Sequence, residues 1–338
     1  MSKATHTYPK VSVVLPFYNA EATLERAVES IQSQTFQNFE LILVNNNSTD
    51  QSLQIAQKLS TSDARIQLLH ERQQGVTFAT NTGNNAASGE YIARMDADDF
   101  SLPKRLEKQA RFLDRSPQTG VVSCLVKHID PTMKSGGIKK YVEWVNSLDT
   151  PQAIKQNRFI EMPLINPSVM FRRQLLKKHG GYVHGDFPED YEMWLRWLGN
   201  GVIIDKIPQV LFNWHDSDSR LTRTDPRYST DAFYRTKAEH LSKWLLNNNH
   251  PYLWVWGAGR KSRMRVSHLM DKGVFIEGYI DLKTRELQDS CCVHYNNFNW
   301  NAPTFILSYV GNHGAREKIR AFLHSKGKVE GKDFLLVA

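Results

Sequence analysis

The sequence predicts an α/β protein with a doubly wound, mainly parallel sheet, followed by a small C-terminal α/β domain. Apolar runs and amphipathic segments alternate four times within the first 116 residues, which is typical of strand–helix repeats in a parallel sheet. A second strand–helix–strand pattern begins after the polar segment 246–251. We therefore expect two domains, at residues 1–245 and 251–338.

The first four predicted strands are short, continuous apolar runs, as buried parallel strands require. They lie at residues 11–17, 39–44, 66–70 and 90–95. Between them apolar residues recur every three or four positions, as in residues 22–31, and this spacing predicts helices. Ligands of such sheets bind outside the carboxyl ends of the strands. Residues 16–19, 45–48 and 96–99 should therefore meet in one crevice.

The middle of the chain is less regular. We expect strands at residues 120–130 and 205–215 and a helix that starts near Glu189 and ends at glycines. Residues 136–144 begin with two glycines and predict a loop that passes into a strand. A helix is expected over residues 230–247, directly before the linker.

The composition restricts the class of protein. The formal net charge of +8 suits anionic partners such as nucleotides or phospholipid head groups, and a solvated basic surface explains it as well. The three cysteines have neither the number of a disulfide framework nor the spacing of a zinc site, which favours a reducing compartment. A polar N-terminus without a long apolar run predicts a cytoplasmic protein, at most peripheral at the inner face of a membrane.

Three carboxylates, Asp96, Asp98 and Asp99, directly follow the fourth predicted strand. Unpaired carboxylates this close would raise one another's pKa. A divalent cation removes the repulsion, and Mg²⁺ commonly binds one or two carboxylates together with substrate phosphates. We therefore expect Mg²⁺ or Mn²⁺ here; the alternative is a solvated acidic turn in which Asp99 caps the next helix.

The loop after the first strand excludes two kinds of nucleotide site. It reads PFYNAEATLERA, with no glycine, so both the dinucleotide fingerprint and the Walker P-loop are absent from it. A nucleotidyltransferase would need a glycine-rich, basic first loop, and this makes that alternative weaker. A noncatalytic nucleotide-sugar-binding protein is the other alternative, and the retained carboxylates argue against it.

Several segments in order resemble the inverting, family-two nucleotide-sugar glycosyltransferases with the GT-A fold. They are VSVVLPFYNAEATLERAVESIQSQTFQNFELILVNNNSTDQS, GVTFATNTGNNAASGEYIARMDADD, INPSVMFRR and PEDYEMWLRW, and together they span roughly residues 9–220. The resemblance implies a metal-dependent transferase that moves a sugar from a nucleoside-diphosphate sugar to an acceptor hydroxyl. Its implied partners are a donor, with a UDP-sugar favoured, and a glycan or lipid-linked acceptor of surface polysaccharide assembly. No nucleic-acid partner is expected, and an oligomer stays open.

The resemblance also implies roles for single residues. Asp190 is the implied catalytic base, which takes the proton of the acceptor hydroxyl as that oxygen attacks the anomeric carbon. Asp98 is the implied metal ligand, with His215 as a second residue near the metal. The implied nucleotide-sugar-binding residues are Pro16, Tyr18, Asn19, Glu21, Asn46, Arg65, Asn81 and Asp96.

The chain departs from the family pattern in two places. Asn45 and Asn46 stand where many members carry two aspartates, and an amide oxygen accepts a base N–H without supplying a charge. Thr80 stands before Asn81 where many members have arginine, which removes one contact to phosphate or base.

The C-terminal part resembles half of a dinucleotide fingerprint. Gly257 and Gly259 follow a predicted strand, Asp281 ends the next one, and Ser262 holds the third glycine position. The basic residues around this loop would suit an anion at a helix N-terminus. We expect a Rossmann-like domain that serves for docking, for dimerisation or for a lipid-phosphate acceptor.

Overall fold

The computed structural model describes residues 8–130, 136–217, 220–250, 252–287, 290–312 and 314–338. The chain folds into two compact units. The first consists of Met1–Pro151, Leu164–Gly185 and Arg196–Thr224, and the second of Gln152–Pro163, Asp186–Leu195 and Asp225–Ala338. The domain limits expected from the sequence, 1–245 and 251–338, stay a prediction.

Strands and helices alternate along most of the chain. The strands are β1 Val11–Phe17, β2 Phe39–Asn45, β3 Ile66–His70, β4 Tyr91–Arg94, β5 Phe100–Ser101, β6 Thr119–Ile129, β7 Met170–Arg172, β8 Ile203–His215, β9 Leu253–Trp256, β10 Gly278–Asp281, β11 Cys291–His294, β12 Phe305–Ser308 and β13 Phe334–Leu336. The helices are α1 Leu24–Gln32, α2 Ser52–Ser62, α3 Val76–Ala86, α4 Arg105–Arg115, α5 Gly136–Ser147, α6 Pro151–Asn157, α7 Gln174–His179, α8 Glu189–Gly199, α9 Leu221–Thr224, α10 Thr230–Asn247, α11 Arg260–Met270 and α12 Ala315–Ser325.

The sheet of the first unit is mainly parallel. Within the described residues it has eight strands in the order β3-β2-β1-β4-β7-β6-β8-β5. Strands β1 to β4 pair in parallel, as do β6 and β8. Strand β7 is antiparallel to β4 and β6, and β5 is antiparallel to β8. The predicted doubly wound α/β fold is confirmed, and β1 and β4 lie side by side where the strand order reverses.

Helix α3 lies unusually close to the sheet because of one glycine. A Cβ atom added to Gly83 would lie 2.5 Å from Cγ1 of Val14 in β1 and 3.1 Å from Cγ2 of Val44 in β2. Both valines are fully buried. The small residues of the GVTFATNTGNNAAS segment therefore set the distance between α3 and the strands whose carboxyl ends carry the site.

The loop and strand predicted for residues 136–144 are wrong, because this segment is helix α5. Its apolar residues Ile138, Tyr141, Val142 and Val145 have the three-and-four spacing of a helix and pack on the core of the first unit. The two glycines at its start hid this pattern.

The second unit has a parallel sheet of its own, as expected for the C-terminal part. Among its described residues five strands are ordered β11-β10-β9-β12-β13, and every neighbouring pair is parallel. In the part of the chain that the structure describes, no helix combines the length and the hydropathy needed to cross a bilayer.

Candidate functional site

The acidic cluster consists of Asp96, Asp98 and Asp99 and lies directly beyond β4. One carboxylate oxygen of each residue lies within 4.8 Å of the corresponding oxygens of the other two. The cluster is at the carboxyl edge of the first sheet, beside the end of β1. The sequence placed it there correctly, because the strand before it is short and fully buried.

Two buried arginines position the acidic cluster, Arg94 by direct contact and Arg105 through the backbone of Arg94. Nη2 of the buried Arg94 lies 2.7 Å from Oδ1 of Asp96. Nη2 of the fully buried Arg105 donates to the carbonyl of Arg94 at 2.7 Å. Asp99 does not cap helix α4; its Oδ1 accepts the backbone N–H of His215 at 2.8 Å and so ties the cluster to the end of β8.

The carboxyl groups of the acidic cluster repel one another. Burial raises the pKa of Asp98, and the negative charge of Asp96 raises it further. Burial raises the pKa of Asp99 well above its ordinary value, with Asp98 and Asp96 adding to the effect. Arg220 opposes both shifts without cancelling them. Three ionised carboxylates at this place are therefore unfavourable unless a cation lies beside them.

The donor set fits a hard divalent cation. Oδ2 of Asp99 and Nδ1 of His215 are buried, and neither has a hydrogen-bond partner among the described residues. Burial lowers the pKa of His215, with Arg26 adding to the effect, so its ring is neutral at pH 7 and keeps a nitrogen lone pair. Carboxylate oxygens are the ligands that Mg²⁺ and Mn²⁺ prefer, and imidazole suits a transition-metal ion.

The loops after β1 and β2 are tied together. Oδ1 of Asn19 accepts the N–H of Thr49 at 2.8 Å, and Oε2 of Glu21 accepts the N–H of Gln51 at 2.9 Å. Pro16 lies buried at the end of β1, and the ring of Tyr18 stays half exposed. These four predicted residues therefore shape one edge of the crevice, with the tyrosine ring free to meet a planar ligand.

Asn46 braces the loop after β3. Its Nδ2 donates to the carbonyls of Glu71 at 3.1 Å and Gln73 at 2.8 Å, and its Oδ1 accepts the N–H of Gly75 at 2.7 Å. An aspartate could not donate to the two carbonyls, which explains the amide at this position. The contact of Asn46 with a nucleobase stays a prediction.

Arg65 is not brought together with the other predicted residues. It precedes β3 and so lies at the amino end of that strand, whereas the loops of the site follow the carboxyl ends. Its guanidinium forms a bidentate pair with Asp63 at 3.0 and 2.7 Å and lies 4.3 Å from the ring centre of Phe39. The basic residue that does follow β3 is the exposed Arg72, whose carbonyl accepts from Asn47 Nδ2 at 2.9 Å.

Asn81 holds a turn of the chain against α3. Its Nδ2 donates to the carbonyl of Tyr182 at 2.7 Å, and its Oδ1 accepts the N–H of the same residue at 3.1 Å. The Tyr182 hydroxyl in turn donates to Oδ1 of Asn166 at 3.0 Å. The two hydrogen bonds between Asn81 and the backbone of Tyr182 stabilise the local structure. Donor binding by Asn81 stays a prediction.

Asp190 lies in the first turn of α8, in the second unit. Its Oδ1 accepts the N–H of Tyr191 at 2.7 Å, and a carboxylate at this position is favourable to the helix dipole. The neighbouring Glu189 is buried and accepts the hydroxyl of Tyr228 at 2.6 Å. The two carboxylates therefore differ, because Glu189 is fixed by a phenol and Asp190 is more exposed.

Sequence reasoning missed two arginines that contact the acidic cluster. Arg94 pairs with Asp96, and Nη2 of Arg26 in α1 donates to the carbonyl of Asp98 at 2.7 Å. A signal for Arg94 was present, because an arginine inside a fully buried strand needs an acidic or carbonyl partner. Arg26 lies 72 positions before Asp98, so no local pattern could pair them.

A backbone amide of the glycine loop after β9 already has a hydrogen-bond acceptor within the chain. The N–H of Ala258 donates to Oδ2 of Asp281 at 2.7 Å, and Gly257 has a φ of 114°, in the region that favours glycine. In a dinucleotide fold such a loop amide faces pyrophosphate. A carboxylate at that amide disfavours a second anion.

Comparison with known proteins identifies the family. The model of glycosyl transferase family 2 matches residues 12–180, which contain β1 to β4 and the acidic cluster. The chain belongs to this family. An uncharacterized glycosyltransferase of Methanocaldococcus jannaschii is 32% identical over 73% of this chain and 84% of its own length. The O-antigen biosynthesis glycosyltransferase WbnJ of Escherichia coli is 27% identical over 70% of this chain and 91% of its own.

A solved structure confirms the GT-A fold of this family-two glycosyltransferase. Residues 1–349 of TarS from S. aureus, crystallised with UDP-GlcNAc, superpose with a TM-score of 0.55 and 19% sequence identity. The match covers 78% of this chain and 71% of that one. The fold, the family and glycosyltransferase activity predicted from the motifs are therefore confirmed.

Proposed function

We propose that this family-two glycosyltransferase is an inverting, metal-dependent enzyme. It moves a sugar from a nucleoside-diphosphate sugar, with a UDP-sugar as the favoured donor, to an acceptor hydroxyl. The acidic cluster carries the proposal, because three carboxylates converge where the strand order reverses. Arg94 pairs with Asp96, but the pKa values of Asp98 and Asp99 stay raised in spite of the nearby arginines. Asp98 would hold Mg²⁺ or Mn²⁺, with Asp96, Asp99 and His215 beside it.

The chain's own residues prepare the donor site for a dianionic ligand. Arg94 holds the Asp96 carboxylate in place, which leaves its second oxygen available to a ribose hydroxyl. The bound cation would stabilise negative charge on the leaving diphosphate. Tyr18, Asn19 and Glu21 border the region where the nucleoside would lie. Arg72 is the basic side chain best placed by its strand to reach that region.

Asp190 is the proposed base. An inverting transfer is a single displacement, so one carboxylate has to take the proton of the acceptor hydroxyl as the new glycosidic bond forms. The Tyr228 phenol fixes Glu189, and this leaves Asp190 as the carboxylate of the pair with solvent access. Its Oδ1 accepts the backbone N–H of Tyr191 in the first turn of α8, and this holds the side chain in one orientation.

The acceptor is proposed by analogy with a relative. The O-antigen enzyme of Escherichia coli aligns over most of its length, so a surface polysaccharide or its lipid-linked precursor is the acceptor class we favour. A noncatalytic donor-binding protein is the competing function, and it would bind a nucleotide sugar without turnover.

A donor panel tests the proposal. Thermal unfolding is followed with UDP-, GDP- and dTDP-sugars, each with and without Mn²⁺, because a ligand of the folded state raises the midpoint. We expect a shift with a UDP-sugar that requires the metal and that Asp98→Asn removes. Anomeric stereochemistry is then read by NMR on the transfer product. A retained configuration, or a donor shift that is equal without metal, would overturn the mechanism.

A further inference from the structure

Helix α11 carries three exposed cations that the chain leaves unpaired. Arg265 is engaged, because its guanidinium lies 4.4 Å from the ring centre of Tyr234. Arg260, Lys261 and Arg263 are exposed, and no acidic group pairs with them in the part of the chain that the structure describes. Residues 251–338 hold 13 Lys and Arg against 8 Asp and Glu, a net charge of +5 out of +8 for the whole chain.

The position of these cations is unfavourable for the isolated protein. Arg260 and Lys261 lie in the first turn of α11, where the helix dipole is positive and where acidic residues are usually found. The first turn has no acidic residue. Residues that are locally unfavourable for stability are expected mainly at functional sites. The charge therefore points to an anionic partner outside the chain.

Exposed apolar side chains occur along this part of the chain, and one of them lies next to the cations. Met264 is 58% exposed and follows Arg260 by four residues, so the two share one side of the helix. Phe275 follows the C-terminal end of the helix, opposite the end that carries the cations, and is 71% exposed. We call Arg260, Lys261, Arg263, Met264 and Phe275 the α11 face. Cations beside exposed apolar groups match the head-group region of a bilayer, whereas a nucleic acid backbone would use the cations alone.

We propose that the α11 face docks this protein on a membrane surface rich in anionic phospholipid. The cations meet the phosphate and carboxylate groups of the lipids, while Met264 and Phe275 enter the boundary of the acyl chains. Docking does not depend on the proposed transfer reaction, because it involves neither the acidic cluster nor Asp190. It would keep the enzyme near acceptors carried on lipids.

Vesicle co-sedimentation of the full chain tests the docking. Vesicles contain phosphatidylcholine alone, or phosphatidylcholine and phosphatidylglycerol in equal parts. We expect binding to the anionic vesicles only, with an affinity that falls as salt is added. Each cation near such a surface contributes about fivefold. The triple variant Arg260→Gln, Lys261→Gln, Arg263→Gln should therefore bind roughly 100-fold more weakly.

A matched triple variant separates a specific face from general charge. Lys318→Gln, Lys326→Gln, Lys332→Gln removes the same charge from the same unit, and we expect it to lose far less. Phe275→Ser should reduce the binding that remains at high salt. Equal losses in the two triple variants, or no binding of the unaltered protein to anionic vesicles, would overturn the proposal.

Two further readouts complete the test. The midpoint of thermal unfolding of the α11 triple variant should be unchanged or higher, because repulsion at the helix start is removed. If that variant is instead destabilised, Arg263→Gln alone, outside the first turn, should still lose about fivefold. Loss of RNA binding in the triple variant, with unchanged vesicle binding, would assign the face to nucleic acid and refute membrane docking.

Discussion

The two sheets of this protein arrange their first four strands in the same order and differ in the loops at the carboxyl ends of these strands. In each, the first strand lies between the second and the fourth in chain order. The fourth strand of the first sheet leads into Asp96, Asp98 and Asp99, whereas β12 of the second leads into Tyr309, Val310 and Gly311. The same topology therefore offers a crevice twice. Among the residues that the structure describes, the acidic cluster of the first sheet is the group that could hold a hard cation.

The loops after the first strand of each sheet, β1 and β9, also differ, and here it is the second sheet that has the glycines. The loop after β1 has no glycine and is held by Asn19 and Glu21, which accept backbone N–H groups of the next loop. The loop after β9 has two glycines, and Asp281 already occupies its Ala258 amide. A glycine loop at a strand end is therefore weak evidence for a nucleotide site unless its backbone amides lack hydrogen-bond partners within the chain. The proposed donor site lies at the first sheet, where the loop after β1 has no glycine.

The largest expected effect is the loss of turnover in Asp190→Asn, and it tests the catalytic base independently of the metal site. Asp190→Asn keeps the shape and removes the proton acceptor, so transfer should fall by about 10²- to 10⁴-fold. Donor affinity and the midpoint of thermal unfolding should stay near those of the unaltered enzyme. Turnover and donor titration on the same preparation measure both. Asp186→Asn, also in the second unit and before α8, is the control that should keep full turnover. Loss of donor binding together with folding would give Asp190 a structural role instead.

A substitution in α3 tests whether close packing supports the first crevice. Gly83→Ala places a methyl group 2.5 Å from Val14 Cγ1, so the helix or the strand has to move, at a cost of about 1–3 kcal/mol. Urea unfolding measures the loss. Gly199→Ala, at the end of α8 where a Cβ meets no atom within 4 Å, should be close to neutral. Equal stability of the two variants would mean that α3 does not lie as close as described.

The smallest expected effect decides between two arginines. Arg72→Gln should raise the KM for the donor severalfold, by about 1 kcal/mol of lost charge-assisted contact, with kcat little changed. Arg65→Gln should leave KM unaltered and lower stability slightly, because it breaks the partly buried pair with Asp63. Steady-state kinetics at varied donor concentration distinguish them. A raised KM in Arg65→Gln, with KM unaltered in Arg72→Gln, would instead make Arg65 the residue that contacts the nucleobase.

Much of the first unit could be predicted because its signals are local. Continuous apolar runs mark β1 to β4, and the position of Asp96 to Asp99 after a strand placed the acidic cluster at the carboxyl edge of the sheet. The short antiparallel strands β5 and β7 have two and three residues, too few for any periodic pattern. Helix α5 was missed because its glycines outweighed a correct apolar spacing.

The single-residue roles were less accessible, because they depend on long-range contacts. Asn46 is fixed by carbonyls 25 and 27 residues away, and no rule of spacing predicts such a brace. The placement of Arg65 was within reach, since it precedes the predicted strand 66–70 and so had to lie at the amino edge.

Titration with Mn²⁺ in the presence of UDP tests directly whether the acidic cluster binds the metal. Free Mn²⁺ is followed by electron paramagnetic resonance for the unaltered enzyme, Asp98→Asn and Asp281→Asn. We expect saturable binding that Asp98→Asn abolishes and that Asp281→Asn, at the carboxyl edge of the second sheet, leaves intact. Undiminished binding by Asp98→Asn, or its loss in Asp281→Asn alone, would contradict the assignment of the metal to the acidic cluster.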